Sequence, residues 1–152
     1  MYTISERDTV PGEIVPVSAA QSRTWYRYVA GYAIDRNMTT RSLAGPGSDD
    51  ITWLKVQLGE VHCVNRVVRY YSSNTQYYYS WSCSQEECTC EGWYCYRYLV
   101  SVYTESSTSP TSTVAGSPTS CRLGDTVKLY SEYGSSIYAH ELVITGKLGL
   151  LI

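Results

Sequence analysis

Phenylalanine is absent from the 152 residues, charged side chains make up only 17%, and there are two histidines, His62 and His140. No run of about 18 apolar residues occurs, so nothing reads as a membrane-spanning helix. Twelve Lys and Arg against 14 Asp and Glu give a net charge of −2. That balance leaves no basic footprint for nucleic acid and no strong attraction to an anionic membrane. Gly-x-Ser-x-Gly and His-Glu-x-x-His are both missing, and the adjacent pairs Asp49-Asp50 and Glu86-Glu87 fall on loop-like sequence where solvated charge is expected. The chain therefore reads as a non-enzyme. Its first residues, Met-Tyr-Thr-Ile-Ser-Glu, carry no leader pattern, so secretion would require a leader removed or replaced by the initiator Met.

In place of Phe there are 16 Tyr and four Trp. Tyrosine pairs an apolar ring with a polar tip, which suits strands and half-wet binding surfaces alike. Six cysteines (Cys63, Cys83, Cys88, Cys90, Cys95 and Cys121) in a low-charge chain favour an oxidising compartment and no free thiols. They leave 15 pairings open. At least one pair is expected within the 83–95 cluster, with Cys63–Cys121 as the default for the remainder.

Long amphipathic helical windows are missing, and short alternating runs between turn residues predict an all-β chain. Strands are expected at Glu13–Ala19, Trp53–Leu58, Val64–Tyr71, Tyr96–Tyr103, Thr126–Tyr130 and Glu141–Gly146, with a turn at Leu58-Gly59-Glu60. Ser22–Gly31, Ser42–Asp50, Ser72–Cys95 and the Ser/Thr/Pro-rich Thr104–Ser120 read as loops. A 152-residue chain holds one core, so residues 1–152 are expected to form a single domain, with 72–95 as a Cys- and Tyr-rich insertion.

Residues 51–71 (ITWLKVQLGEVHCVNRVVRYY) resemble the W-x-x-V-x-L-G-x-x-x-x-V-x-x-V-x-x-Y core of the galactose-binding-like jelly rolls. That superfamily includes the discoidin domains, the coagulation-factor C domains and the F-type fucose-binding lectins. The likeness extends over residues 30–71, 94–104 and 121–146, and it is missing over 72–93. It implies a jelly-roll β-sandwich that binds ligands through loops at one end. Gly31-Tyr-Ala-Ile-Asp-Arg-Asn37 looks like the family's N-A-V-D-G-N turn, which in the F-type lectins belongs to a structural Ca²⁺ site.

Carried over by position, Tyr32, Asp35, Asn37, Ser42, the backbone of His140 and Glu141 would supply the oxygens. Ca²⁺ accepts about six to eight such ligands. Arg36 stands where the turn has Gly, Tyr32 where it has Asn, and His140 where the closing strand has Cys. Asn37-Met38-Thr39 is also a glycosylation sequon, which competes with a metal role for Asn37. The F-type fucose motif is not reproduced. No His precedes Trp53, Cys88-Thr-Cys90 is not vicinal, and Arg97 is displaced from the family's second Arg.

What remains is an aromatic set on the loops of one end: Trp25, Tyr26, Tyr77, Tyr78, Tyr79, Trp81 and Trp93, with Asp49, Asp50 and Arg97. Rings of this kind stack on sugar C–H faces while polar neighbours take hydroxyls. The reading is a secreted, lectin-like, Ca²⁺-stabilised domain for glycans or glycoproteins, oligomeric where avidity is needed. The scarcity of Lys and Arg on those loops favours a neutral sugar. The alternative is an extracellular adhesive module contacting matrix proteins or itself.

Overall fold

The computed structural model describes residues 9–72, 75–80, 99–105, 121–131 and 135–148. Nine strands follow in order: β1 (Glu13–Ile14), β2 (Ser18–Gln21), β3 (Ser42–Ala44), β4 (Thr52–Ser72), β5 (Thr75–Ser80), β6 (Leu99–Tyr103), β7 (Arg122–Ser131), β8 (Ile137–Ala139) and β9 (Glu141–Leu148). A single 3₁₀ turn spans Ala30–Ala33 among the described residues. The all-β expectation holds.

The alternation of β4 has a plain physical result. Leu54, Val56 and Leu58 are buried, while Trp53, Lys55 and Gln57 face the other way and stay half-exposed. The expected turn at Gly59 is instead a bend inside one 21-residue strand. Gly59 takes φ 88°, a conformation glycine adopts without penalty, and the ladder to β7 slips between Gln57 and His62. Pairing with β7 resumes at His62, so the chain kinks as at a β-bulge rather than reversing.

Before the bend β4 pairs with β2 and β7; after it, β4 keeps β7 as far as Val64 and pairs with β9 and β5. β1 joins through β9 and β6 through β7, closing a seven-stranded sheet, and β3 pairs only with β8. All these ladders are antiparallel. Inward residues from both halves of β4 share one core with Val100, Val127, Leu129, Ile137, Leu142 and Ile144. The architecture is a β-sandwich wrapped on one long strand.

Several expected boundaries move. Glu13–Ala19 divides at Pro16, which has no N–H for a ladder; β1 lies on β9 and β2 on β4. The first three residues of Ser42–Asp50, expected as loop, form β3. Within the expected 72–95 loop, residues 75–80 form β5, pairing Tyr77 with Arg69, Tyr78 with Val68 and Tyr79 with Val67. The high strand propensity of Tyr accounts for that correction.

The outward face of the β4–β7–β6 ladder is polar and aromatic. Lys55 lies over Trp53 at 5.1 Å, and Lys128 sits 5.9 Å from the Tyr103 ring and 5.3 Å from Tyr130. Glu105 accepts from Lys55 and Gln57, and the Lys55 hydrogen bond leads in holding its carboxyl below the usual range. Burial, then the Glu105 charge, pushes the Tyr103 hydroxyl up to about 12.

Cys63 and Cys121 form a disulfide across 58 residues, with their Cα atoms 5.4 Å apart. The other four cysteines lie outside the described residues. A crosslink of that span limits the unfolded chain by about 4 kcal/mol in the loop-entropy model. Replacing both Cys63 and Cys121 by Ala is expected to lower stability by roughly 2–4 kcal/mol in denaturant titration. A loss under about 1 kcal/mol would show that the ladder between β4 and β7 already holds these ends together.

Candidate functional site

Residues 22–28 form a loop laid along β3 and tied to it by main-chain hydrogen bonds. Gly45 N–H donates to Arg23 O at 2.8 Å, Trp25 N–H to Leu43 O at 3.2 Å, and Leu43 N–H to Tyr28 O at 3.0 Å. Ser22 anchors the near end. Its Oγ accepts from Trp53 N–H at 2.9 Å and donates to Gly45 O at 2.6 Å. Gln21 Nε2 donates to Tyr28 O at 2.9 Å and to Thr24 Oγ1 at 2.8 Å. The loop therefore presents its side chains from a fixed backbone.

Those side chains are the expected aromatics. Trp25 is 39% exposed and Tyr26 84% exposed, and Tyr26 takes φ 58°, a left-handed conformation uncommon for a bulky residue. Arg23, Thr24, Trp25 and Tyr26 line an open cleft of about 410 Å³. The Trp25 indole lies against Gly45, where any Cβ would collide with its Nε1 edge. Glycine here makes room for the ring.

Asp49 and Asp50 sit on the adjacent turn, both exposed. Asp49 Oδ1 accepts Ile51 N–H at 3.1 Å, an Asx turn, and the turn closes with Gly47 N–H on Ile51 O at 3.0 Å. A Cβ on Gly47 would lie 3.7 Å from Ser22 Cβ, so both loops start from the same point. The structure thus brings the Trp25–Tyr26 loop and the Asp49–Asp50 loop side by side. Tyr77, Tyr78 and Tyr79 are placed on β5 by their backbone, a strand instead of a loop tip. Trp81, Trp93 and Arg97 lie outside the described residues.

Sequence reading passed over the arginines of this end. Arg23 and Arg27 are exposed on the same loop as Trp25 and Tyr26. Arg41, just before β3, stacks on Tyr28. The premise that these loops lack cationic side chains does not hold. Arg23 and Arg27 flanking Trp25-Tyr26 were the available signal.

The turn expected to hold a cation does meet the closing strand. Arg36 N–H donates to Glu141 Oε2 at 3.0 Å, and Glu141 is completely buried. Arg36 takes φ 63°, a left-handed conformation that glycine adopts more readily than other residues. Its guanidinium points to Glu13 at 2.9 Å. Asp35 accepts Asn37 N–H at 3.0 Å and the Thr40 hydroxyl at 2.5 Å. Asn37 Oδ1 accepts from Thr39, and buried Ser42 donates to Ala139 O at 3.2 Å.

The His140 ring pairs with Met38 O at 2.7 Å. Tyr32 is half-buried and closes the 3₁₀ turn on Val29 O. No cluster of three or more His, Cys, Asp and Glu suited to a metal occurs among the described residues. A cation here would rest on two carboxylates plus hydroxyl and carbonyl oxygens. That hard oxygen set fits Ca²⁺ in chemistry.

No protein-family model matches the sequence, and no curated protein sequence matches it either. Solved structures do match in shape. A fucose-binding module of Streptococcus pneumoniae superposes with a TM-score of 0.56 at 14% identity, covering 89% of this chain and 95% of that one. Chitosan-binding module 1 of a Paenibacillus sp. IK-5 chitosanase/glucanase gives 0.54 at 19%, covering 88% and 97%. The lectin domain of lectinolysin, complexed with Lewis B antigen, gives 0.55 at 15%, covering 86% and 92%. The fold is a jelly-roll β-sandwich, shared with these modules. Identities this low carry the fold alone, and the site must be argued from its own residues.

Because Trp25 needs the empty space at Gly45, Gly45→Ala is expected to dislodge the indole. The change should shift tryptophan emission, while the thermal midpoint falls by only a few degrees, since the site lies at the edge of the core. An unchanged emission spectrum would show that the ring is not seated on Gly45.

Proposed function

We propose that this jelly roll is a secreted, non-catalytic, lectin-like domain that binds glycans at the end formed by residues 22–28 and 45–51. The observation that carries the reading is the exposed Trp25–Tyr26 pair beside an open cleft, held on a backbone strapped to β3. Trp25 offers an indole face for a pyranose ring, and Asp49 and Asp50 offer acceptors for hydroxyl groups. Carbohydrate-binding domains of other chains share the fold. The Cys63–Cys121 disulfide accords with an oxidising compartment. No helix among the described residues is long and apolar enough to cross a membrane.

One ring stacked on one sugar contributes on the order of 0.5–1.5 kcal/mol beyond area burial. A single site is therefore weak, and useful avidity requires several copies on one assembly. On a glycan array presented multivalently, the protein is expected to give saturable binding to a defined sugar. Trp25→Ala should reduce that signal at least tenfold with a thermal midpoint close to the parent's. Equal binding by the variant would remove Trp25 from the site, and an array without signal would remove the glycan reading.

The second element of the proposal is a structural Ca²⁺ at the 35–42 turn, held by Asp35, Ser42, Glu141 and backbone carbonyls that include that of His140. Its charge would offset the buried Glu141 carboxylate and fix the turn on β9. An ion bound only by the folded chain stabilises it by about 2.7 kcal/mol at a hundred times its dissociation constant. Millimolar Ca²⁺ should thus raise the thermal midpoint and a chelator should lower it. Glu141→Gln should abolish the difference. A midpoint indifferent to Ca²⁺ in the parent chain would remove the ion.

A further inference from the structure

Beside the cleft, Arg41 holds a guanidinium between two tyrosine rings, 4.4 Å from the Tyr28 centroid and 5.2 Å from Tyr138. The stack continues on both sides. Tyr26 meets Tyr28 at 6.2 Å, and Tyr138 meets Tyr71 at 5.1 Å and His140 at 5.5 Å. Arg69 reaches the same cluster, donating to Tyr138 O at 2.9 Å and lying 6.0 Å from the Tyr71 ring. The row runs from the exposed Tyr26 at the cleft to the β3–β8 surface.

Arg41 is not neutralised. A guanidinium carries five N–H donors, and here Nη2 donates to the Tyr28 hydroxyl at 2.9 Å while buried Nε has no acceptor. The ion pairs seen among the described residues belong to Arg36 with Glu13 and Lys55 with Glu105. Arg69 and His140 border the stack, Glu141 follows His140 on β9, and Arg23 and Arg27 lie exposed on the cleft loop. Arg41 is half-buried, and stacking on two rings stabilises its charge without neutralising it. The Nη1 donors and the remaining Nη2 donor are the N–H groups that a planar oxyanion can take.

We propose that Tyr28, Arg41 and Tyr138 form an oxyanion subsite next to the Trp25–Tyr26 cleft, and that the glycan bound at this end carries a carboxylate or sulfate. This inference rests on the glycan reading above and replaces the neutral sugar with an acidic one. A uronic acid and a sulfate ester present the same chemistry to Arg41, so the test separates them.

The experiment titrates the full chain at low salt with three probes of equal length: a galacto-oligosaccharide, an oligogalacturonate and a sulfated galacto-oligosaccharide. The parent should bind one acidic probe about tenfold or more tightly than the neutral one, and added salt should shrink the difference. The tighter acidic probe identifies the group. Arg41→Met should bring acidic binding down to the neutral level, leave neutral binding unchanged and keep the thermal midpoint at or above the parent's, because no carboxylate loses a partner. Arg41→Lys keeps the charge without the fork and should retain only part of the preference; it serves as the reading if the Met variant does not fold. Equal affinity for acidic and neutral probes, or a preference untouched by both variants, overturns the subsite and leaves the glycan reading standing. No binding to any of the three probes, together with a silent glycan array, overturns both.

Discussion

The hydrogen-bonding of β4 is the constraint on which the rest of the molecule depends. Four strands pair with its 21 residues, and β1 and β6 attach through β9 and β7. A strand that serves both halves of a sandwich must turn its apolar side toward the same core before and after it bends. Gly59 and the slipped ladder between Gln57 and His62 let it do so. Leu54, Val56 and Leu58 before the bend and Val64 and Val67 after it all lie in one core. The Cys63–Cys121 bridge lies just past this bend and fixes the start of β7 to it.

From that frame the candidate site follows by short steps. Trp53, at the start of β4, exchanges two backbone hydrogen bonds with Ser22, one of them through the serine hydroxyl. The same hydroxyl reaches Gly45. Ser22 is thereby a junction between the sheet, the aromatic loop and the acidic turn. A loop secured this way loses little further entropy when a ligand arrives, which matters where each sugar contact is weak. The left-handed Tyr26 and the empty Cβ position at Gly45 are local concessions that turn two rings outward.

Charge is distributed with the same economy. Glu13 and Glu105 each neutralise a cation and also accept a second hydrogen bond, from Val10 N–H and Gln57 respectively. Glu141, fully buried, takes a backbone N–H from the very turn that would carry a metal. Against that pattern Arg41 stands apart, held between the Tyr28 and Tyr138 rings and in no ion pair among the described residues. The two ends of the 35–42 segment differ in chemistry, with a buried carboxylate against one and a stacked guanidinium at the other.

Much of the fold was legible without coordinates. The period-two alternation of 53–58, the β-branched run after Gly59 and the closing Glu141–Gly146 strand are local patterns, set by which faces must be apolar. Composition likewise fixed the all-β class, since no helical stripe could be drawn. The Trp25–Tyr26 loop and the Asp49–Asp50 turn were recognisable from turn chemistry and aromatic content. The sequence could not show that β4 continues through Gly59, because glycine permits both a turn and a bulge and only the partners of the flanking residues choose between them. Strands of three residues such as β3 and β8 carry no period to read; they exist because each finds the other. The arginine stack belongs to the same class. Tyr28, Arg41 and Tyr138 are separated by 13 and 97 residues, and only the pairing of β3 with β8 brings them into one row, a neighbourhood that spacing along the chain cannot show.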